Sequence, residues 1–206
     1  RRRLSELEDL VTDPARIDEL ARSPQAEERV TAAMAIGRGA GADADRLSVL
    51  LWDRETAVRQ AALAAAGRLG NADFRPLLVG QLAVPATAPV ASAALVTIGP
   101  PVVGEIARAF GRTDLDAAVG YRSLAVCEAI GGPEASALLV GKLGCPDRSV
   151  RRRALASLVR LKHRVTDAQV PMVERAVEDV VRSTAWNLGI GVNLGDVIEE
   201  ESRIYG

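Results

Sequence analysis

The chain has 206 residues, with 26 basic and 27 acidic side chains and a formal net charge of −1. That balance excludes a chain-wide electrostatic attraction to nucleic acid or to an anionic membrane. Apolar residues make up 48% and aromatic residues only 3%, so a core must be built from Ala, Leu and Val, and two cysteines, Cys127 and Cys145, provide no disulfide framework and fit a reducing, cytoplasmic setting.

The chain begins RRRLSELEDL without an initiator methionine and is expected to be a segment of a longer protein. Asp13-Pro14 reads as an N-cap followed by proline at the first helical position, and Ser23-Pro24 and Gly132-Pro133 repeat that signal. Asp53, Asp147 and Asp167 are further capping candidates. Apolar residues recur at helical spacing, as in Val102, Ile106, Ala109 and Phe110, or Ala135, Leu138, Leu139 and Leu143. No segment reads as a strand. Residues 76–104 carry no charge over 29 positions, long enough to span a membrane. Pro85, Pro89, Pro100 and Pro101 would break such a span, and they suit turns between short helices. The other use of this stretch is an exposed apolar patch for docking.

Five copies of one motif can be superposed. AEERVTAAMAIG ends at Gly37, ETAVRQAALAAAGRLG holds Gly67, APVASAALVTIG ends at Gly99, VGYRSLAVCEAIG ends at Gly131, and SVRRRALASLVRL has Val159 at the matching place. The spacings of 30, 32, 32 and 28 residues mark a helical repeat array. Arg29, Arg59 and Arg151 form one column. Ala32, Ala62, Ala94, Val126 and Ala154 form a second, and Ile36, Ala66, Ile98, Ile130 and Leu158 a third. The last two lie four residues apart, hence on one helical face, and the alanines allow neighbouring helices to approach closely. The helix pairs are expected at about 14–37, 42–67, 72–99, 102–131 and 134–161. A closing segment, 166–206, begins with a helix from Thr166 to Asn187 whose Val173, Val177, Val180 and Val181 share one face.

The pattern of an acid, then Val-Arg, then small residues and a hydrophobic-Gly ending, in DRETAVRQAALAAAGRLG and DRSVRRRALASLVRL, resembles the HEAT repeat of the short bacterial, phycobilisome-lyase-like type. The resemblance covers about residues 14–161. It implies an all-α fold: a right-handed α-solenoid of about five antiparallel helix pairs plus a C-terminal cap, with the second helix of each pair lining a concave surface. Ala91 and Ser123 depart from the pattern where the other copies have arginine. The family spans scaffolds, adaptors, regulators and a few enzymes, so the resemblance implies fold more than activity.

Charge concentrates in the fifth copy. Arg148, Arg151, Arg152, Arg153, Arg160, Lys162 and Arg164 fall in 17 residues without an acid. Helical spacing puts Arg153, Arg160 and Arg164 on one stripe and Val150, Ala154, Leu158 and Leu161 on the buried one. Part of this charge has a structural account: Arg151 belongs to the arginine column, with Asp147 as a partner, and Arg160 matches Arg38 and Arg68, where a cation offsets a helix C-terminus. Arg152, Arg153, Arg160 and Arg164 are the candidate binding surface, suited to an acidic peptide, a phosphate-rich ligand or a lipid headgroup.

Other chemistry is sparse. His163 stands alone, and no His/Cys spacing suits zinc; it reads as a solvated or helix-capping residue. Gly189, Gly191 and Gly195 lack the spacing and preceding strand of a dinucleotide fingerprint. Trp52 reads as inter-repeat core, and Trp186 as packing the closing helix. No catalytic, metal or cofactor residue is expected. The expectation is a non-catalytic interaction or scaffold domain that uses the concave solenoid face and whose partner is another protein or another domain of the same chain. Two alternatives rest on resemblance: the soluble regulatory domain of a membrane transporter similar to ATP/ADP translocases, and a HEAT-like nucleic-acid-binding or DNA-repair module. The scattered aromatics Trp52, Tyr121 and Trp186 argue against the latter.

Overall fold

The computed structural model describes residues 13–39, 44–112 and 115–187. All regular structure among the described residues is helical. The chain divides into two compact units between Leu138 and Leu139.

The first unit holds α1 (Pro14–Ala21), α2 (Ala26–Ile36), α3 (Ala44–Leu50), α4 (Thr56–Leu69), α5 (Arg75–Gly80), α6 (Ala88–Ile98), α7 (Pro101–Phe110) and α8 (Ala117–Ile130). The next helix, α9 (Gly132–Lys142), runs through the division. Within this unit α1 packs on α2, α3 on α4, α5 on α6 and α7 on α8. α2 packs on α4, α4 on α6 and α6 on α8, while α1 meets α3 and α5 meets α7. Alanine makes the first row possible: Ala32, Ala62 and Ala94 are buried, and Leu63, Leu95 and Leu124 fill the space beside them.

The anchor glycines serve two different purposes. A Cβ at Gly67 would lie 2.6 Å from Ala94 Cα, and one at Gly37 2.8 Å from Ala65 Cα, so both are sites where successive helices touch backbone to backbone. Gly99 and Gly131 instead take φ of +80° and +67° at helix C-termini, a conformation costly for other residues.

The uncharged stretch 76–104 breaks into α5, a 3₁₀ turn (Gln81–Ala83), α6 and the start of α7. Pro76, Pro89 and Pro101 sit in first turns, where no backbone donor is lost. No helix among the described residues is long and apolar enough to cross a membrane. Asp13 caps α1 by accepting from the Arg16 amide at 3.0 Å. Ser23 does not cap α2, which starts at Ala26; its Oγ accepts from the amide of Gln25, two residues later in the chain.

The arginine column has a common use. Arg29 Nη1 donates to the carbonyls of Ser23 and Pro24 at 2.9 and 3.0 Å. Arg59 does the same for Asp53 and Arg54, and Arg151 for Cys145 and Pro146. Each arginine thus ties down the two carbonyls five and six residues before it, fixing the turn that enters its helix. The remaining nitrogens of Arg29 grip Asp53 at 2.7 and 3.0 Å. That hydrogen-bonded guanidinium holds the Asp53 carboxyl below its ordinary range, against a smaller opposing effect of burial. Asp53 is therefore a partner of Arg29 that also accepts from the Glu55 amide, and the residue before α4, Glu55, makes no side-chain cap.

The second unit is built on α10 (Arg148–Arg160) and α11 (Val170–Asn187), which pack together. Asp147 is the N-cap of α10, accepting from the Ser149 and Val150 amides at 2.7 and 3.1 Å. It is not the partner of Arg151 expected from sequence; Arg151 pairs with Asp179 of α11. α11 begins at Val170, so Asp167 caps nothing, and the Gln169 side chain accepts from the Thr166 amide. The apolar face expected on α11 is rotated. Ala176 is buried and Val173 and Val180 are half-buried, whereas Val177 and Val181 are exposed.

Candidate interaction surface

α10 buries Val150, Ala154, Ser157 and Leu158. A helix advances 100° per residue, so the opposite side carries Arg148, Arg152 and Val159 in one line, with Arg160 flanking it. All four are exposed. Val159 is 69% exposed, a large apolar side chain set among cations. Arg148 and Arg152 have no partner among the described residues.

The sequence-derived candidates separate here. Arg152 and Arg160 lie on this exposed side. Arg153 is half-buried on the flank of α10 and has an interaction of its own. Arg164 does not continue the stripe, because the helix ends at Arg160. The stop is a left-handed turn: Lys162 has φ of +51°, its amide donates to Val159 O at 3.0 Å, and the His163 amide donates to Leu158 O at 3.0 Å. This is the pattern of a Schellman cap with lysine where glycine is usual. The His163 ring lies 3.1 Å from Gln169 Oε1, so it helps hold the turn into α11.

Val159 occupies the position that Gly37 and Gly67 hold in the earlier copies. Those glycines are buried under the next stacked helix, against Ala65 and Ala94. In α10 the same position is open, and a bulky residue fits there.

The first unit has other surfaces. Trp52 is 72% exposed and Val49 71%. Trp52 is therefore not core: it follows the end of α3, one helical turn beyond Val49, on the side facing away from buried Leu47, Leu50 and Leu51. Periodicity alone could have placed it outside, since 49 and 52 share a face that 47, 50 and 51 do not. Residues 76–104 do leave some apolar groups outside, Val84 and Val96 among them. Arg68 Nε donates to Gly37 O at 3.2 Å, serving the carbonyl end of α2 from the neighbouring helix; burial, and then Arg38 nearby, lower its pKa.

A cavity of about 390 Å³ lies among α5, α7 and the start of α8. Its charges are consumed by its own walls. Glu105 pairs with Arg108 at 2.6 Å, Asp116 accepts from the Ala118 and Val119 amides as the α8 cap, and Arg112 has a partner.

No three His, Cys, Asp or Glu side chains come together among the described residues. Cys127 is buried, which pushes its thiol up to about 12, while Cys145 is half-exposed in a loop. The Trp186 side chain, Gly189, Gly191 and Gly195 lie outside the described residues. A scan of protein-family models finds no match to this chain, and neither does a search of curated proteins.

Proposed function

We propose that the chain is a non-catalytic protein-interaction module built on HEAT-like solenoid pairs, and that its contact surface is the outward side of α10. The pairing of helices, the row α2–α4–α6–α8 and the arginine that ties down each entering turn support the repeat reading. The observation that carries the functional reading is the line Arg148, Arg152 and Val159: two cations without a partner among the described residues, beside an exposed valine and flanked by Arg160. Solvent-exposed cations around an apolar centre suit an acidic segment of another protein that seats one hydrophobic side chain on Val159. The partner is a protein or another domain of the same chain, bound in a cytoplasmic setting.

The test is binding of three labelled probes to the full chain by fluorescence anisotropy: a Glu-rich peptide with one central leucine, a 20-nucleotide DNA single strand, and vesicles holding phosphatidylserine. Peptide binding that is lost in Arg148→Glu/Arg152→Glu, with weak DNA and vesicle binding, is the expected result. Preference for DNA with a steep salt dependence would replace this function with a nucleic-acid one.

A further inference from the structure

The geometry points to a phosphoryl-binding site at the C-terminal ends of α2 and α4, where Arg38 and Arg68 together hold a doubly charged phosphate oxyanion. The site lies in the first unit, goes beyond the α10 surface and does not depend on it.

Arg68 uses only part of its guanidinium within the fold. It stands in the last turn of α4 and reaches across to α2, where its Nε donates to the Gly37 carbonyl at 3.2 Å. Its Nη2 lies against Gly37, 2.7 Å from where a Cβ would stand, so glycine at this position admits the guanidinium. Among the described residues Nη1 and Nη2 have no acceptor, and Arg68 is exposed. A guanidinium fixed through Nε with its Nη edge open presents the two parallel donors that an oxyanion takes bidentately.

The cations here also exceed what the helix ends require. A positive group at a helix C-terminus offsets the macrodipole and serves the last carbonyls. At the end of α2 the carbonyls of Ala33, Ala35 and Ile36 accept from the amides of Gly37, Arg38 and Gly39 at 3.1, 3.0 and 3.2 Å, and Arg68 Nε serves Gly37. At the end of α4 the Gly70 carbonyl accepts from Arg75 Nη2 at 3.3 Å. Arg38 follows Gly37 directly and is exposed, and its side chain makes no hydrogen bond or ion pair among the described residues. Capping therefore accounts for Arg75 and for one nitrogen of Arg68, and leaves over Arg38 and the Nη edge.

No acid balances this pair among the described residues. Other arginines that cross between helices of the unit face carboxylates: Arg29 grips Asp53, and Arg46 pairs with Asp18. Arg68 faces Arg38 instead, and repulsion from Arg38, after the larger effect of burial, lowers the Arg68 pKa. Two neighbouring cations without a carboxylate match a ligand that brings two negative charges. Phosphate, free or as a monoester, largely does so at neutral pH, its second pKa being about 6, whereas a carboxylate brings one.

The experiment follows the arginine Nε–Hε NMR resonances of the isotopically labelled full chain during titration with inorganic phosphate, phenyl phosphate or acetate, at neutral pH and constant ionic strength. The Arg68 resonance, identified by its loss in Arg68→Lys, is expected to shift saturably with phosphate. Affinity should fall about tenfold or more in Arg38→Gln, a variant that leaves the Gly37 contact in place so that the Arg68 resonance still reports. It should be unchanged in Arg148→Glu/Arg152→Glu, which separates this site from the basic side of α10. Tighter binding of phenyl phosphate than of inorganic phosphate supports a monoester as the ligand, and equal or weaker binding supports the free ion. Acetate binding as tightly as phosphate would overturn the phosphoryl assignment. A shift that never saturates, or an Arg38→Gln variant that binds like the parent, would overturn the paired site.

Discussion

Replacing Gly67 with alanine tests the close stacking on which the first unit depends. The added Cβ would meet Ala94 Cα and Cβ at 2.6 Å and the Ala94 carbonyl at 3.1 Å, whereas carbon atoms in contact prefer about 3.5–4.0 Å. The obstruction is backbone, so no rotamer change relieves it, and α4 must move from α6 by roughly 1 Å. Overpacking of this kind costs about 1–3 kcal/mol, and the better helix propensity of alanine returns about 0.8–1.0 kcal/mol. Because the clash is with backbone, the upper part of that range applies, leaving a net loss of about 1–2 kcal/mol. Gly104→Ala is the matched control: it lies within α7, exposed, with nothing near the added atom, and should gain about 0.5–1 kcal/mol. Urea unfolding of the full chain followed by far-UV circular dichroism measures both. If Gly67→Ala is as stable as Gly104→Ala, the helices do not touch at Gly67 and the stacking argument fails.

Other outcomes are expected from single contacts. Asp53, with its pKa lowered by Arg29, contributes stability that is complete above the unfolded carboxylate value, about 3.9, and lost as pH falls through the lower folded value. The stability advantage of the parent over Asp53→Asn should therefore be constant near neutrality and shrink below about pH 4, as read from thermal melts; an advantage that grows on acidification would contradict the pairing. Lys162→Gly should raise stability, read from urea unfolding, by up to about 1 kcal/mol, by removing a side chain from a left-handed turn; a loss would mean the lysine side chain supports the turn. Arg151→Ala should lower stability by removing both the Cys145 and Pro146 contacts and the Asp179 pair, whereas the neighbouring Arg152→Ala should stay within about 0.5 kcal/mol of the parent. Maleimide labelling of the native chain should modify Cys145 and spare Cys127, which is buried with its thiol pushed up to about 12; equal labelling of both would show that α8 opens readily.

Much of the helical organisation was legible in the sequence because it is written in short-range chemistry. Alanine and isoleucine columns four residues apart specify a buried face, prolines specify first turns, and glycine at regular intervals specifies ends, so the helical segments could be placed before any contact was known. The roles of individual residues depended on neighbours distant in the chain. The repeated glycine meant close stacking at Gly37 and Gly67 but a positive-φ helix end at Gly99 and Gly131, a difference that the spacing of the glycines does not carry. Sequence pointed to Asp147 as the partner of Arg151; the fold uses Asp147 as a cap and brings Asp179 across from α11 to pair with Arg151. Trp52 reads as core from its hydrophobicity, which carries no direction; the helical spacing it shares with Val49, opposite Leu47, Leu50 and Leu51, is the signal that puts it in solvent. The candidate surface divides the same way. Sequence determined that α10 is basic and a local left-handed turn at Lys162 ended the stripe at Arg160, while tertiary packing decided which arginines are held inward and left Val159 open where earlier helices cover their glycines.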